Sequence, residues 1–248
     1  MKTIVIYILC MILSGITFGQ IEKEKMEHKK IEEVKVVPPK FTGITNVIQK
    51  QKDGEFESIE DYLAKNIQYP EKDAKNFNQG TEVVQFMVNT DGKLTDFTII
   101  NSVSPQIDKE VIWVLKTTNG MWLPGDNNGK PVAMGKEVSV AFKLNSTRHP
   151  LDFEAQGRKY FSKGSELLLT QNNPKKAVKF YDKGIKLLPS DKGLLLMRGF
   201  AMYGAGNLEG AMRDWQRIIY LGGTFSDEYL TNLHDMKGYA ELINVLNE

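Results

Sequence analysis

The sequence predicts an α+β domain with a three-stranded antiparallel sheet and two helices, followed by an all-α domain of helical hairpins. Three observations predict this architecture. Apolar and polar residues alternate over strand-length segments between residues 81 and 144. After residue 152 that alternation gives way to helical periodicity, and similar residues recur there at a spacing of 34. The 248 residues are enough for two modest domains, each with its own core.

The first residues of the chain have the pattern of a secretory signal peptide. Lys2 is followed by an almost wholly apolar run, Thr3 to Phe18, and Thr17-Phe18-Gly19 places small residues before Gln20. The run is 16 residues long, short of the roughly 20 that span a bilayer. We therefore predict a signal peptide over residues 1–19 and an exported protein. If the segment is retained instead, it anchors the chain in the inner membrane.

Residues 20–55 are predicted to be a flexible linker. Acidic and basic residues alternate between Glu22 and Lys35, and Pro38-Pro39 stiffens the end of this stretch. The segment has too little apolar surface to bury a core. A globular pattern begins only at Phe56.

Residues 56–145 are predicted to form the α+β domain, in the order helix, hairpin, helix, strand. Ser58 is the expected N-cap of the first helix, and Asp91-Gly92 is a strong signal for the hairpin turn. Ser104-Pro105 places an N-cap and a proline at the start of the second helix. The last strand is predicted over 138–144, where apolar residues alternate.

This order of elements places the third strand at an edge of the sheet. The second helix carries the chain back, so the third strand pairs antiparallel with the first. The expected strand order is 2-1-3, with both helices on one face. Ser139 and Ala141 are small and uncharged, which leaves room for an incoming strand beside Lys143. The predicted partner-binding edge comprises Val138, Ser139, Val140, Ala141, Phe142, Lys143 and Leu144. The alternative is an edge that is merely solvated.

Residues 152–225 are predicted to form two repeats of one helical hairpin. At an offset of 34 residues, Tyr181 corresponds to Trp215. A period of 34 with two helices per unit is the signature of tetratricopeptide repeats, which this segment resembles. Two repeats fall below the three usually needed for stability, so a capping helix is predicted over 226–248.

The resemblance to tetratricopeptide repeats implies a concave groove lined by the first helix of each pair. The residues expected there are Lys159, Ser162, Glu166 and Leu169 in the first repeat, and Leu196, Phe200 and Tyr203 in the second. Aromatic side chains on a concave surface suit an extended apolar peptide. The alternative is that Phe200 and Tyr203 pack against the capping helix.

An ordered set of short motifs in residues 56–145 resembles the C-terminal domain of the TonB family, in the form common in Bacteroidetes-type Gram-negative bacteria. The motifs are Tyr69-Pro70, Gly80 with Val84-x-Phe86-x-Val88, Gly92, Ile107-Asp108-Lys109-Glu110, Trp122-x-Pro124-Gly125, Asn128-Gly129-Lys130-Pro131-Val132 and Val140-x-Phe142. In that family the last strand takes the Ton box of an outer-membrane receptor as an added strand. Full-length members are anchored in the inner membrane and coupled to a proton-driven motor. The resemblance therefore implies a periplasmic location and a protein partner.

The sequence shows no recognisable catalytic, cofactor or metal site. His28, His149 and His234 are far apart in the chain, Cys10 is the one cysteine, and no nucleophile or phosphate-binding motif occurs. We therefore expect no enzyme activity, no cofactor and no small-molecule substrate. The net charge of +1 gives no field that would attract nucleic acid.

The leading hypothesis is a periplasmic protein–protein interaction module. It would bind an extended segment of an outer-membrane or periplasmic protein on the edge strand, with the helical groove as a second binding surface. One competing hypothesis is an energy-transducing component of transmembrane transport with a retained N-terminal anchor. Another is a non-energised envelope scaffold. A cleaved signal peptide favours the first hypothesis, because force on an outer-membrane partner needs a fixed point in the inner membrane.

Overall fold

A computed structural model describes residues 35–43, 58–144 and 151–247. The predicted signal peptide, residues 1–19, and most of the predicted linker lie outside these ranges. The described residues belong to one compact unit, residues 34–248. Within the described ranges, no helix has both the length and the apolar character needed to cross a membrane.

The N-terminal half of the described chain contains strands and helices in alternation. Its strands are β1 (Val36–Val37), β2 (Lys40–Phe41), β3 (Gly80–Val88), β4 (Leu94–Asn101), β5 (Trp122–Leu123), β6 (Gly125–Asn127), β7 (Lys130–Val132) and β8 (Met134–Phe142). Its helices are α1 (Ile59–Asn66), α2 (Glu71–Lys75) and α3 (Pro105–Thr117). Every strand pair in the described chain is antiparallel, so the fold is α+β with antiparallel sheets, as predicted. The short strands β1, β2, β5, β6 and β7 and the helix α2 were not predicted.

The central sheet has the strand order β4-β3-β8, which confirms the predicted order 2-1-3. β3 pairs with β8 at nine consecutive positions, from Gly80 opposite Phe142 to Val88 opposite Met134. The alternating residues Val84, Phe86 and Val88 point to the face that α1 and α3 cover, as the period of two requires. Buried side chains of α3 complete the core on that face.

The last strand differs from its predicted boundaries. β8 begins at Met134, four residues before the predicted start, and ends at Phe142. Lys143 and Leu144 therefore follow the strand instead of belonging to it. The early start was missed because Gly135 interrupts the apolar alternation on which the prediction relied.

Residues 35–43, which the sequence assigned to the linker, are part of the folded domain. β1 pairs with β6 and β2 with β5. The buried ring of Phe41 lies 5.2 Å from that of Trp122 and 5.6 Å from that of Tyr62. The predicted linker is therefore too long, because one buried aromatic ring and four paired residues hold this segment to the domain. We name residues 35–43 the strap.

The C-terminal half, named here the helical unit, spans residues 153–247. Its helices are α4 (Phe153–Ser165), continued by a π-helical turn over Glu166–Thr170, α5 (Pro174–Leu187), α6 (Lys192–Gly204), α7 (Leu208–Tyr220), α8 (Asp227–Thr231) and α9 (Tyr239–Asn247). Asn173 caps α5 and Asn207, 34 residues later, caps α7, each by accepting from a backbone N–H three residues on. The helices α4 to α7 thus form two pairs with equivalent starts.

The two helix pairs also share a packing contact at the same offset. Tyr181 packs over Gly164, and its hydroxyl lies 3.1 Å from that of Ser165. Trp215 packs over Gly199 so closely that a Cβ there would lie 2.2 Å from the indole Nε1. Both rings are fully buried. These equivalent contacts support the internal repeat of 34 residues that the sequence indicates.

The prediction of one helix over 226–248 is wrong. Two short helices, α8 and α9, are separated by turns, and Gly238 before α9 has a φ of +91°, a conformation that interrupts a helix. Leu242 and Val245 of α9 are nevertheless buried in the core of the helical unit. The segment therefore covers the repeats, although not as a continuous helix.

The second face of the central sheet packs against the helical unit. The hydroxyl of Thr81 donates to the carbonyl of Leu187 at 2.7 Å, and the side-chain amide of Asn101 lies 3.3 Å from the carbonyl of Ile185. Val83, on this face of β3, is fully buried. Because both faces of the sheet are covered, its edges are where its backbone remains available.

Candidate functional site

The backbone of β8 alternates between groups that face β3 and groups that face outward. A side-chain amide on β4 donates to the carbonyl of Thr81 at 2.7 Å, so the backbone of Thr81 faces β4 and that of Glu82 faces β8. Glu82 lies opposite Val140. The N–H and C=O of Val140 are therefore used inside the sheet, whereas those of Ser139 and Ala141 point outward.

The chain just beyond the strand follows the same alternation. The backbone N–H of Leu144 donates to Oε1 of Gln79, which precedes β3, at 2.8 Å. Leu144 thus faces β3 and Lys143 faces outward. We name Ser139, Ala141 and Lys143 the β8 edge. Among the strands that the structure describes, none pairs with it.

The side chains of the β8 edge do not blunt it. Ser139, Ala141 and Lys143 are all exposed, and the first two are small. The ammonium of Lys143 lies 4.5 Å from the centre of the Phe153 ring, a cation–π contact that holds this charge against α4. The charge that would deter an incoming strand is therefore directed toward the helical unit.

The opposite edge of the sheet, formed by β4, is irregular. Its pairing with β3 shifts between Val83 and Val84 and again between Gln85 and Met87, and Asp96 has a φ of +52°. Bulges of this kind twist a strand and discourage another from pairing with it. The regular β8 edge is thus the better suited of the two to accept a strand.

A hollow of about 400 Å³ lies between α1 and the β8 edge. Ser58 caps α1 by accepting from the N–H of Asp61 at 3.0 Å, and the buried Leu63 holds the helix on the sheet. The rings of Tyr69 and Phe142 meet edge to face at 5.3 Å. We name this space the α1 hollow, lined by Glu60, Leu63, Ala64, Ile67, Tyr69 and residues 139–143. It offers mainly apolar walls beside the outward-facing backbone.

A second hollow, of about 370 Å³, lies on the other side of the β8 edge, against the helical unit. Asp191 in its wall caps α6 by accepting from the N–H of Leu194 at 2.8 Å, and Glu154 stands in the first turn of α4. We name this space the α4 hollow, lined by Thr81, Ser139, Glu154, Leu187, Leu188, Pro189, Ser190 and Asp191. Ser139 borders both hollows, so the two open on the same stretch of edge.

One titratable group is buried behind the edge. Glu82, opposite Val140, is fully buried and accepts a hydrogen bond from the backbone N–H of Val103 at 2.8 Å. Its Oε1 has no hydrogen-bond partner among the described residues. Burial raises the pKa of Glu82 to about 8, against the opposing effect of the Val103 N–H, and the carboxylate of Asp108 raises it further. The carboxyl group is therefore mostly protonated at neutral pH.

The structure separates the residues predicted to line the helical groove. Lys159, Ser162, Glu166 and Leu169 are exposed, and Glu166 pairs with Lys163 at 2.7 Å. Leu196 and Phe200 are buried in the core that α9 completes, so neither presents surface to a ligand.

Tyr203 also takes part in packing. Its ring stacks on that of Trp215 at 6.3 Å, and its hydroxyl donates to Glu241 at 2.5 Å. Hydrogen bonding to Glu241, together with burial, raises the pKa of the Tyr203 hydroxyl. The alternative reading, in which Phe200 and Tyr203 pack against the C-terminal segment, describes the observed contacts. The predicted groove is therefore not an open surface shared by all seven residues.

Sequence reasoning identified the edge strand but missed both hollows. Leu63 and Ile67 carry a helical apolar pattern that places α1 on the sheet, yet nothing in the sequence says that this helix overhangs β8. Glu154 and Asp191 are expected as residues at helix starts. Their position beside Ser139 depends on how the helical unit docks, which no local pattern encodes. Across the described ranges, no group of His, Cys, Asp or Glu residues could hold a metal ion.

The fold and this edge are those of a protein-interaction domain, with a sheet covered on both faces and one regular strand left open. Residues 65–144 match the family model of the Gram-negative bacterial TonB protein C-terminal, so this part of the chain is a TonB C-terminal domain. The match supports a TonB-like protein-interaction module of the Gram-negative cell envelope. Neither a curated protein nor a solved structure matches the chain.

Proposed function

We propose that this protein is a periplasmic adaptor that binds an extended segment of an outer-membrane or other envelope protein by strand addition to the β8 edge. The observation that supports the proposal most directly is the outward direction of the N–H and C=O groups of Ser139, Ala141 and Lys143. Those groups lie on a regular strand, with a hollow on each side to receive side chains of the added strand.

The geometry sets the expected strength of binding. Three outward-facing residues offer about six backbone hydrogen bonds, each worth roughly 0.5–1.5 kcal/mol net. Ordering an extended peptide offsets much of that gain, as association costs do in general. Micromolar affinity is therefore expected, with the partner's side chains deciding which segments bind.

The helical unit is assigned, as part of this proposal, to two repeats of the tetratricopeptide type. Its 34-residue equivalences, from the helix caps to the buried rings over Gly164 and Gly199, support that assignment. Because Leu196 and Phe200 are buried, a groove role is left to exposed residues of the first pair. We propose that the helical unit acts chiefly by supporting the strand site.

Energy transduction with a retained N-terminal anchor is the second candidate, and the family match is the observation that favours it. The two candidates differ in the N-terminus of the mature protein, read by mass spectrometry of fractionated cells. A peptide that starts at Gln20 in the periplasmic fraction supports the adaptor. A peptide that starts at Met1 in the inner-membrane fraction supports the transducer.

The strand-addition proposal is tested with the variant Ser139→Pro. Proline at an edge position removes an outward N–H without taking a bond from the sheet, so the protein should stay folded and lose most of its affinity for a Ton-box peptide. Ser139→Ala keeps the backbone donor and is the matched control, expected to bind normally. Isothermal titration calorimetry measures the affinities, and circular dichroism checks the fold.

A second proline variant tests the assignment of inward and outward groups. Val140→Pro removes an N–H that bonds with β3, so it should destabilise the whole domain. If Val140→Pro folds normally, the assigned alternation is wrong. If Ser139→Pro is folded and binds the peptide as tightly as Ser139→Ala, strand addition at this edge is wrong.

A further inference from the structure

The helical unit is part of the strand site. The α4 hollow is built partly from β3 and β8, through Thr81 and Ser139, and partly from the helical unit, through Glu154 and residues 187–191. A hydrogen bond of 2.7 Å from Thr81 to the carbonyl of Leu187 holds the two walls together. A segment added to the β8 edge would therefore touch both halves of the molecule.

Strand geometry decides which side chains of such a segment reach which hollow. Residues directly opposite each other on paired strands project to the same face of the sheet, and successive residues project to opposite faces. The partner residues that lie opposite Ser139 and Ala141 would thus send their side chains toward the α4 hollow. The intervening residues would send theirs toward the α1 hollow.

The two hollows differ in chemistry. The α1 hollow presents Leu63, Ala64 and Ile67 to the incoming strand. The α4 hollow carries two carboxylates, Glu154 and Asp191, both exposed to solvent. The nearby cation, Lys143, is already held over the Phe153 ring.

We propose that the partner segment alternates apolar side chains, which enter the α1 hollow, with basic side chains, which enter the α4 hollow beside Glu154 and Asp191. This inference rests on the proposed strand addition and names the class of segment that the site selects. Because the helical unit supplies both carboxylates, it sets the specificity of an edge that belongs to the other half of the chain.

The test uses the full chain and two synthetic peptides of equal length. Both carry apolar residues at alternate positions, and the intervening positions are all Lys in one peptide and all Glu in the other. The wild-type protein should bind the Lys peptide roughly three- to tenfold more tightly, since each carboxylate is solvent-exposed and contributes modestly. Raising the salt concentration should reduce that ratio.

The double variant Glu154→Gln with Asp191→Ser should lose the preference while keeping the fold. Serine retains an oxygen that can cap α6, so the helix start is preserved when the charge is removed. The control is Glu209→Gln, an exposed acid on α7 outside both hollows, which should leave the ratio unchanged.

Two outcomes separate this inference from the proposed function. Equal binding of both peptides by the wild-type protein, with binding still lost in Ser139→Pro, would overturn the α4 hollow as a specificity site and leave strand addition standing. A Lys preference that survives in the double variant would overturn it as well. If Ser139→Pro binds the Lys peptide normally, strand addition itself fails, and the inference fails with it.

Discussion

The guanidinium of Arg217, on α7, makes two parallel hydrogen bonds to the carboxylate of Glu137, on β8, with distances of 2.6 and 2.7 Å. Only 12% and 15% of the two side chains is exposed. Charge-assisted bonds in this forked geometry are strong and directional. The pair therefore fixes the helical unit to the strand that carries the binding edge, two residues before Ser139.

Replacing Glu137 by Gln is expected to lower the free energy of unfolding by about 2–4 kcal/mol, because Arg217 would be left largely buried without a counter-charge. Its Nε already has no partner among the described residues. Urea denaturation followed by circular dichroism measures the loss. The control, Glu209→Gln, removes the exposed partner of Arg213 and should cost less than about 1 kcal/mol. Equal losses would show that the buried pair does not hold the two halves together.

Glu82 should make stability fall as pH rises. The native protein keeps this proton up to a pKa of about 8, whereas the reference value is 4.5, so the unfolded chain binds fewer protons between those values. The free energy of unfolding should therefore decrease across that window, by up to about 1.4 kcal/mol per pH unit from this group. Below about pH 4.5 both states hold the proton, and the group has no effect on the slope.

The variant Glu82→Gln isolates this contribution, because Gln keeps an acceptor for the Val103 N–H and does not ionise. Urea denaturation of both proteins across the window should show the variant gaining on the wild type as pH rises. Other groups titrate equally in the two proteins and cancel in the difference. A difference that stays constant with pH would contradict the burial of an ionisable carboxyl group at this position.

The C-terminal segment should be needed for cooperative unfolding of the helical unit. Leu242 and Val245 are fully buried in the same core as Phe200 and Trp215. Deleting residues 226–248 should broaden the thermal transition, and Leu242→Ala alone should cost about 2–5 kcal/mol. The exposed Asn244→Ala on the same helix is the control and should change little. A truncated protein that unfolds as sharply as the full chain would assign these residues a role other than packing.

Local patterns predicted the sheet because its information is local. Alternation along β3 together with the Asp91-Gly92 turn defines the hairpin, and the Ser104-Pro105 start defines the helix that returns the chain. From these, antiparallel pairing of β8 with β3 follows by direction alone. The same reasoning could not choose which residues of β8 face outward, since alternation leaves two phases. A single side-chain hydrogen bond to the carbonyl of Thr81 decides between them.

The parts that sequence missed depend on docking or on very short elements. β1 and β2 have two residues each, too few for a period, and only Phe41 signals that the segment is anchored. The predicted groove failed at Leu196 and Phe200 because a solenoid of two repeats has little interior. Its concave side chains are needed to bury the end of the chain, so apolar residues there serve the core.

The strap gives the folded domain a mechanical character that the rest of the fold lacks. It crosses the domain as two short zippers, Val36 and Val37 with β6 and then Lys40 and Phe41 with β5. A pull on the chain upstream of Lys35 loads the first zipper before the second, and the Phe41 ring lodged against Trp122 is the last catch to yield. Tension is thus absorbed in steps outside the β4-β3-β8 sheet, so a partner strand held on β8 is shielded from a load that arrives through the N-terminal side.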